Sequence, residues 1–205
     1  MYAIYFFTAV ATAFASSKWI DNLYSLPTAP LSFPDKLQGQ KVCRKIFLTV
    51  VYFIAFIYCA KMPSLDFIYH MTAIFFLTLI TVTDFEQYVI FDIILFFFAL
   101  SGLVLAVALH LPLAERLVAG MIGGALFCML MLLTKNGIGG GDVKLVAVLG
   151  LWLGVDGLIN TVLSASICGG ICAVGMILSG AKGRKDYFAY GPYFCIAAAL
   201  QMIKP

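Results

Sequence analysis

Long apolar runs, separated by short polar stretches, limit how this chain can fold more than any other feature. Of its 205 residues, 63% are hydrophobic and only 11% are charged, and the mean hydropathy is +1.03. A soluble domain carries about 25% charged residues, so this chain has too few polar side chains to cover a water-exposed surface. We therefore predict an integral membrane protein: an all-α polytopic helix bundle that forms a single membrane domain over residues 1–205.

Eight apolar runs are candidates for transmembrane helices. Several of them are shorter than the ~20 residues that cross a bilayer, so we expect their ends to extend into the flanking sequence. The longest polar stretch, residues 17–44, contains three prolines that interrupt a long helix, and it is predicted to be a loop. The eight runs cover residues 2–16, 46–60, 65–83, 92–110, 117–133, 143–155, 158–180 and 187–203.

The basic residues predict the orientation of the bundle. With eight spans, ten lysines and arginines lie on one side of the membrane and three on the other; the ten are Lys18, Lys36, Lys41, Arg44, Lys45, Lys135, Lys144, Lys182, Arg184 and Lys185, and the three are Lys61, Arg116 and Lys204. Because cytoplasmic loops carry the excess of positive charge, the richer side, with loop 17–44, is predicted to face the cytoplasm. We therefore expect a multi-pass protein of the inner, cytoplasmic membrane.

Two aspartates stand at the ends of apolar runs. Asp84 directly follows the run 65–83, and Asp142 lies between three glycines, Gly-Gly-Gly, and the sequence Val-Lys-Leu. A charge near the hydrocarbon zone costs roughly 2.5–3.5 kcal/mol or more, so both aspartates are candidates for a functional site. The predicted orientation puts both at the cytoplasmic edge of the membrane.

Two neighbouring carboxyl groups in a low dielectric are suited to acid–base hydrolysis. They do not both ionise readily, so one accepts a proton from water while the other donates a hydrogen bond to a peptide carbonyl. Asp142 is predicted to open a helix, where the dipole favours its charged form, so we expect Asp84 to hold the shared proton. The glycines at 139–141 are expected to take positive φ and to let a substrate backbone approach. This arrangement predicts aspartic-protease chemistry, which needs no metal or cofactor.

Other polar residues have weaker claims to a function. Glu86 and Asp92 could tune Asp84 or attract a basic substrate, and Lys144 could pair with Asp142 or reach toward lipid phosphate. The six cysteines form no Cys-x-x-Cys pair, and the two histidines lie at the predicted outer ends of their spans, so neither a metal site nor a Ser/His/Asp triad is predicted. No basic stretch is dense enough to predict nucleic-acid binding.

Three segments, in this order, resemble motifs of the type IV prepilin peptidases, which are GxGD aspartic leader peptidases. The stretch from Asp84 to Asp92 is similar to the first aspartate motif, in which proline and then Asp or Asn follow seven residues after the aspartate; Phe91 stands in place of that proline. Gly-Gly-Gly-Asp142-Val-Lys-Leu resembles the GxGD segment, and Tyr-Gly191-Pro-Tyr resembles the Phe-Gly-Pro-Phe segment that opens the last helix. The resemblance covers residues 65–205, the predicted peptidase core.

By this resemblance, Asp84 and Asp142 are the catalytic pair. The residues that we expect to bind substrate or support the motifs are Gly139, Gly141, Lys144, Glu86 and Asp92. The resemblance also implies the reaction, which is cleavage of the leader peptide of prepilins or pseudopilins at the cytoplasmic membrane face. The expected partners are these substrates and the lipid bilayer.

Many members of the family also methylate the new N-terminus with S-adenosylmethionine. Fuller members carry two zinc-binding Cys-x-x-Cys pairs in the first loop and a glutamate near the start of the second helix, and this sequence has neither. We therefore expect a short form without zinc. These absences argue against methyl transfer, which stays open as a second activity, and S-adenosylmethionine would be a cofactor only if that activity were retained.

Two other classes of function stay open at this point. One is a GxGD protease that cuts other substrates within the membrane, although Thr83 precedes Asp84 where those enzymes have tyrosine. The other is a non-enzymatic proton-coupled transporter or assembly component whose aspartates relay protons. Many transporters contain inverted repeats, and none is visible in this sequence.

Overall fold

The computed structural model describes residues 2–27, 31–33, 37–134, 137–180, 183 and 188–203. Four of the helices in these ranges are long and apolar enough to cross a membrane, and they cover Lys41–Cys59, Ser64–Gln87, Leu113–Leu133 and Gly140–Leu178. The predicted all-α polytopic membrane fold is confirmed. The helices of the described residues are α1 (Tyr2–Tyr24), α2 (Leu37–Cys59), α3 (Ser64–Gln87), α4 (Asp92–Ala108), α5 (Leu113–Leu133), α6 (Gly140–Leu178) and α7 (Gly191–Ile203).

Helix α6 is interrupted at Gly154, whose φ of 70° and ψ of −171° are not helical. Val146 Cγ1 and Leu158 Cδ2 both lie beside Gly123, at 3.2 and 2.7 Å from the point where a Cβ would be. In an unbroken helix these two residues would be about 18 Å apart along the axis, so the chain folds back at Gly154 and α6 has two arms. The predicted spans 143–155 and 158–180 correspond to these arms, and the eight predicted runs occur as seven helices.

Two adjacent charged residues at the start of α5 stabilise this break. Glu115 Oε1 accepts a hydrogen bond from the N–H of Val155 at 3.1 Å, and Arg116 Nη1 donates to the carbonyl oxygen of Leu151 at 3.2 Å. The carboxylate thus lies at the start of one arm and the guanidinium at the end of the other, which matches the polarity of both helix dipoles. The positive φ of Gly154 favours glycine, and a Cβ there would also lie 2.7 Å from Glu115 Oε1, so the glutamate would have to shift.

Helix α7 runs antiparallel to α3. His70 Nε2 of α3 is 3.3 Å from the carbonyl oxygen of Met202 near the end of α7. Gly191, the first residue of α7, lies against Asp84 near the end of α3. We call the end of the bundle with Asp84 and Gly191 the aspartate end, and the end with His70 and Met202 the opposite end. His70 therefore lies far from the aspartates.

The loop predicted over residues 17–44 is shorter in the structure. Helix α1 continues to Tyr24 and α2 begins at Leu37, so the predicted bounds of the loop were wrong. The helices extend because polar side chains in this stretch find partners within the bundle: Arg44 Nε of α2 donates to Ser17 Oγ of α1 at 3.1 Å. Several residues that entered the predictions for loop and orientation lie outside the described residues: Pro30, Pro34, Lys36, Lys135, Lys182, Arg184, Lys185 and Lys204.

Candidate active site

Asp84 lies in the last turn of α3, as the sequence predicts. The residue is only 6% exposed, and its carbonyl oxygen accepts the N–H of Tyr88 at 3.0 Å. Tyr88 has the left-handed conformation, with φ 53° and ψ 37°, which ends the helix there. The Asp84 carboxyl is therefore buried where the chain turns from α3 toward α4.

Asp142 lies in the first turn of α6, also as predicted. Gly139 is the N-cap of this helix, and a Cβ at Gly139 would lie 3.2 Å from Asp142 Oδ2. The carboxyl thus folds back toward the N-cap residue, as the acidic residue of a capping box does. The positive end of the helix dipole favours negative charge at this position.

The fold brings the surroundings of the two aspartates together, although they belong to helices that are far apart in sequence. Ile90 Cδ1 lies 3.3 Å from the point where a Cβ of Gly191 would be, beside Asp84, and 3.4 Å from the same point at Gly141, the residue before Asp142. Gly191 forms part of the same site, because its Cβ would lie only 2.6 Å from Asp84 Oδ2. Asp84 Oδ2 is buried and has no hydrogen-bond partner among the residues that the structure describes. Two carboxyls at one end of an apolar bundle are the candidate active site.

The glycines before Asp142 do not have the conformation that we predicted. Gly139 has φ −67°, and neither Gly140 nor Gly141 is among the described glycines with positive φ. The prediction was wrong because the helix begins directly after Gly139, which leaves no left-handed turn. Gly141 instead makes room for the side chain of Ile90. A Cβ added at Gly141 would lie 3.1 Å from the Cβ of Ile90.

Glu86 belongs to a buried polar network. Arg44 Nη1 and the Tyr24 hydroxyl both donate to Glu86 Oε2, each at 3.0 Å. Arg44 Nη2 also lies 2.5 Å from Asp21 Oδ1, so this guanidinium joins α2 to α1 and α3. The side chain of Arg44 is 1% exposed and that of Glu86 is 9% exposed. The charge of Glu86 is therefore balanced inside the protein, which makes it a poor attractor for a basic substrate.

The role of Arg44 in this network was not predicted from the sequence. Arg44 entered the predictions only as one of the basic residues that indicate the orientation. Its position carried no special signal, because a basic residue just before an apolar run is what the excess of positive charge on the cytoplasmic side predicts. A buried arginine requires carboxylate partners, and Asp21 and Glu86 supply them.

Lys144 forms an ion pair with Asp92. The predicted alternative, an ion pair between Lys144 and Asp142, is therefore wrong. Lys144 Nζ lies 2.7 and 2.8 Å from the two carboxylate oxygens of Asp92. The side chains are 57% and 71% exposed, so the pair is a surface salt bridge that is worth about 1 kcal/mol or less. It joins the first turn of α4 to the first turn of α6.

Phe91, which stands in place of the family's proline, is the N-cap of α4. Its φ of −75° lies within the range that a proline ring imposes. Its carbonyl oxygen accepts the N–H groups of Ile94 and Leu95 at 3.1 and 3.2 Å. The substitution therefore leaves the backbone with the φ that a proline would impose.

Metal-ligating side chains do not gather at this site. Within the described ranges, no three His, Cys, Asp or Glu residues come together in a way that could hold a metal ion. All six cysteines are free thiols.

Comparisons with known proteins agree with the motifs. A model of the type IV leader peptidase family matches residues 71–174, about half of the chain, and this segment contains both Asp84 and Asp142. No solved structure matches the chain.

Curated relatives are named prepilin leader peptidase/N-methyltransferase. The protein from Aeromonas salmonicida (strain A449) is 34% identical over 99 residues, which cover 46% of this chain and 34% of the relative. The one from Neisseria gonorrhoeae is 38% identical over 82 residues, which cover 39% and 27%. The one from Bacillus subtilis (strain 168) is 28% identical over 141 residues, which cover 67% and 56%.

The chain thus spans about a third of the length of the Aeromonas relative and about half of the Bacillus one. The family match covers half of this chain and includes both aspartates of the candidate site. The chain belongs to the type IV leader peptidase family.

Proposed function

We propose that this protein is a membrane-embedded aspartic endopeptidase that removes the leader peptide of prepilins or pseudopilins at the cytoplasmic membrane face. The observation that carries the proposal is that Asp84 and Asp142 lie at the same end of an apolar helix bundle, where Ile90 packs against the glycine beside each of them. The names of the relatives, which are prepilin leader peptidases, support the substrate class.

In the proposed reaction the two carboxyls share one proton. Asp142 is the ionised member, because it lies at a helix N-terminus, and Asp84 holds the proton at the C-terminal end of its helix. Asp142 takes a proton from water as the water oxygen attacks the scissile carbonyl carbon, and Asp84 donates a hydrogen bond to the carbonyl oxygen. Collapse of the tetrahedral intermediate breaks the C–N bond, and the proton on Asp142 passes to the leaving amine.

The surroundings of Asp84 suit this role. Its Oδ2 is buried without a hydrogen-bond partner in the described part of the chain, so this oxygen is available for the shared proton or for the substrate. Gly191 leaves the space beside it free of a side chain. Because charges interact more strongly where water is excluded, a buried carboxyl pair is better suited to proton sharing than an exposed one.

The cytoplasmic orientation rests on the distribution of positive charge. Lys41 and Lys144 lie near carboxylates at the aspartate end, whereas Lys61 lies in the turn between α2 and α3 at the opposite end. Together with the count over the whole sequence, this distribution favours a cytoplasmic aspartate end.

Methyl transfer is not part of the proposal. The relatives are also named N-methyltransferases, but the match covers only 34% of the Aeromonas protein, so most of that protein lies outside the segment that is similar to this chain. The proposal is therefore confined to leader cleavage, which involves the two aspartates within the matched segment.

Substitution of each aspartate by asparagine tests the proposal. Asp84→Asn and Asp142→Asn keep the side-chain volume but remove the acid–base function, so we expect no detectable processing of a co-expressed prepilin, followed by its mobility shift in membranes. Because residues that act as a unit are strongly non-additive, the double variant should be no worse than either single one.

Asp66→Asn is the matched control, because Asp66 lies on the same helix at the opposite end of the bundle. This variant should process the prepilin normally, and all the variants should accumulate in the membrane as the unmodified protein does. Near-normal processing by either active-site variant would reject the aspartic mechanism and favour a proton-relay function.

A further inference from the structure

Ile90 borders both glycines that stand beside the two aspartates. Its Cβ, Cδ1 and Cγ1 atoms lie 3.1, 3.4 and 3.4 Å from the point where a Cβ of Gly141 would be. Its Cδ1 also lies 3.3 Å from the corresponding point at Gly191, which is 2.6 Å from Asp84 Oδ2. The Ile90 side chain therefore fills the space between the residue before Asp142 and the residue beside Asp84.

The connection that carries Ile90 is held at both ends. On one side, the N–H of Tyr88 donates to the carbonyl oxygen of Asp84 at 3.0 Å. On the other side, Asp92 pairs with Lys144, two residues after Asp142. Ile90 thus lies on a connection that contacts both helices that carry the aspartates, and its side chain packs against Gly141 and Gly191.

We propose that Ile90 is a specificity-determining residue, which limits the size of the substrate side chain next to the scissile bond. This inference rests on the proposed leader-peptidase function and names a determinant of its substrate choice. It goes beyond the acid–base roles of the aspartates, because Ile90 has no group that can transfer a proton.

A peptide bond must approach the carboxyl pair closely to be cleaved. Its carbonyl must come within hydrogen-bonding reach, about 2.6–3.2 Å, of the catalytic carboxyl. The residue that supplies this carbonyl then has to put its own side chain beside the carboxyl pair. Gly141 and Gly191 have no side chains there, so Ile90 forms the wall that such a side chain meets. A small residue fits next to this wall, and a branched one collides with it.

The test compares two prepilins that differ only in the residue supplying the scissile carbonyl, which is glycine in one and valine in the other. We expect the unmodified enzyme to favour the glycine substrate by about tenfold or more in kcat/KM, since valine adds three carbons and a single methylene in a pocket is already worth about tenfold. Ile90→Ala should reduce this preference by about tenfold. Ile93→Ala, on a side chain that is 43% exposed on α4, should leave the preference unchanged.

The ratio of the two rates separates specificity from a general loss of activity. An equal preference for glycine in the unmodified enzyme and in Ile90→Ala would overturn the inference. If Ile90→Ala cuts neither substrate, the milder variant Ile90→Val, which removes only one methylene, is measured in its place. A preference for glycine that falls about twofold or more in Ile90→Val supports the inference, and an unchanged preference rejects it. Failure of the proposed function is a different result, in which the unmodified protein cuts neither substrate or Asp84→Asn remains active.

Discussion

Gly191 leaves just enough space for the carboxyl group of Asp84. A Cβ at this glycine would lie 2.6 Å from Asp84 Oδ2 and 3.1 Å from Asp84 Cγ. Real Cβ atoms essentially never come within 3.0 Å of a heavy atom outside their own residue and its chain neighbours. Because Gly191 opens α7, the start of the last helix directly sets the position that the Asp84 side chain can take. The position of α7 is therefore coupled to the candidate active site.

Gly191→Ala should displace the Asp84 carboxyl and strongly reduce cleavage. A misplacement of about 1 Å in an active site costs on the order of 100-fold in rate, and we expect a loss of prepilin processing of that size. Gly170→Ala is the control, since a Cβ at Gly170 would meet nothing within 4 Å. Wild-type rates in Gly191→Ala would show that the contact with Asp84 has no effect on the reaction.

The two ion pairs near the aspartates should differ widely in their contribution to stability. Arg44→Ala leaves Glu86 as an unpaired, buried charge, which typically costs about 3–5 kcal/mol. Lys144→Ala removes an exposed partner of Asp92 and should cost about 1 kcal/mol or less. Thermal unfolding of both variants in the same detergent measures the difference. Equal losses of stability would contradict the burial of the Arg44–Glu86 pair.

The aspartate end of the bundle should face the cytoplasm. Thr134 is exposed at the end of α5, near the turn before Asp142, and Lys61 is exposed at the opposite end. In a protein without its native cysteines, Lys61→Cys should react with a membrane-impermeant thiol reagent in intact cells. Thr134→Cys should react only after the membrane is opened. The reverse pattern would overturn the orientation and the prepilin assignment with it.

Leader cleavage should not depend on zinc. The described part of the chain brings no three metal-ligating side chains together, and the predicted mechanism uses the two carboxyls alone. The purified protein should therefore cut a prepilin at the same rate before and after treatment with a strong chelator, and metal analysis should find no stoichiometric zinc. Activity that is lost with the chelator and restored by zinc would show that the reaction needs the metal.

The sequence alone predicts the membrane fold and the helix positions of both aspartates. Apolar runs identify spans because the bilayer acts on each segment separately, through its length and hydrophobicity. Helix ends are also local, so the placement of Asp84 in a last turn and of Asp142 in a first turn is confirmed. The family motifs add the expectation that the two residues act together.

Contacts between helices depend on which faces meet, and no local pattern of this sequence contains that information. Most of the chain is apolar on all sides, so periodicity does not show which face of a helix packs inward. Only the tertiary structure therefore decides that Glu86 pairs with Arg44 and Lys144 with Asp92. It also decides that Ile90 fills the space left by the glycines beside the aspartates. The sequence by itself determined which polar residues lie at the ends of apolar helices, and the packing of the helices determined which of them meet.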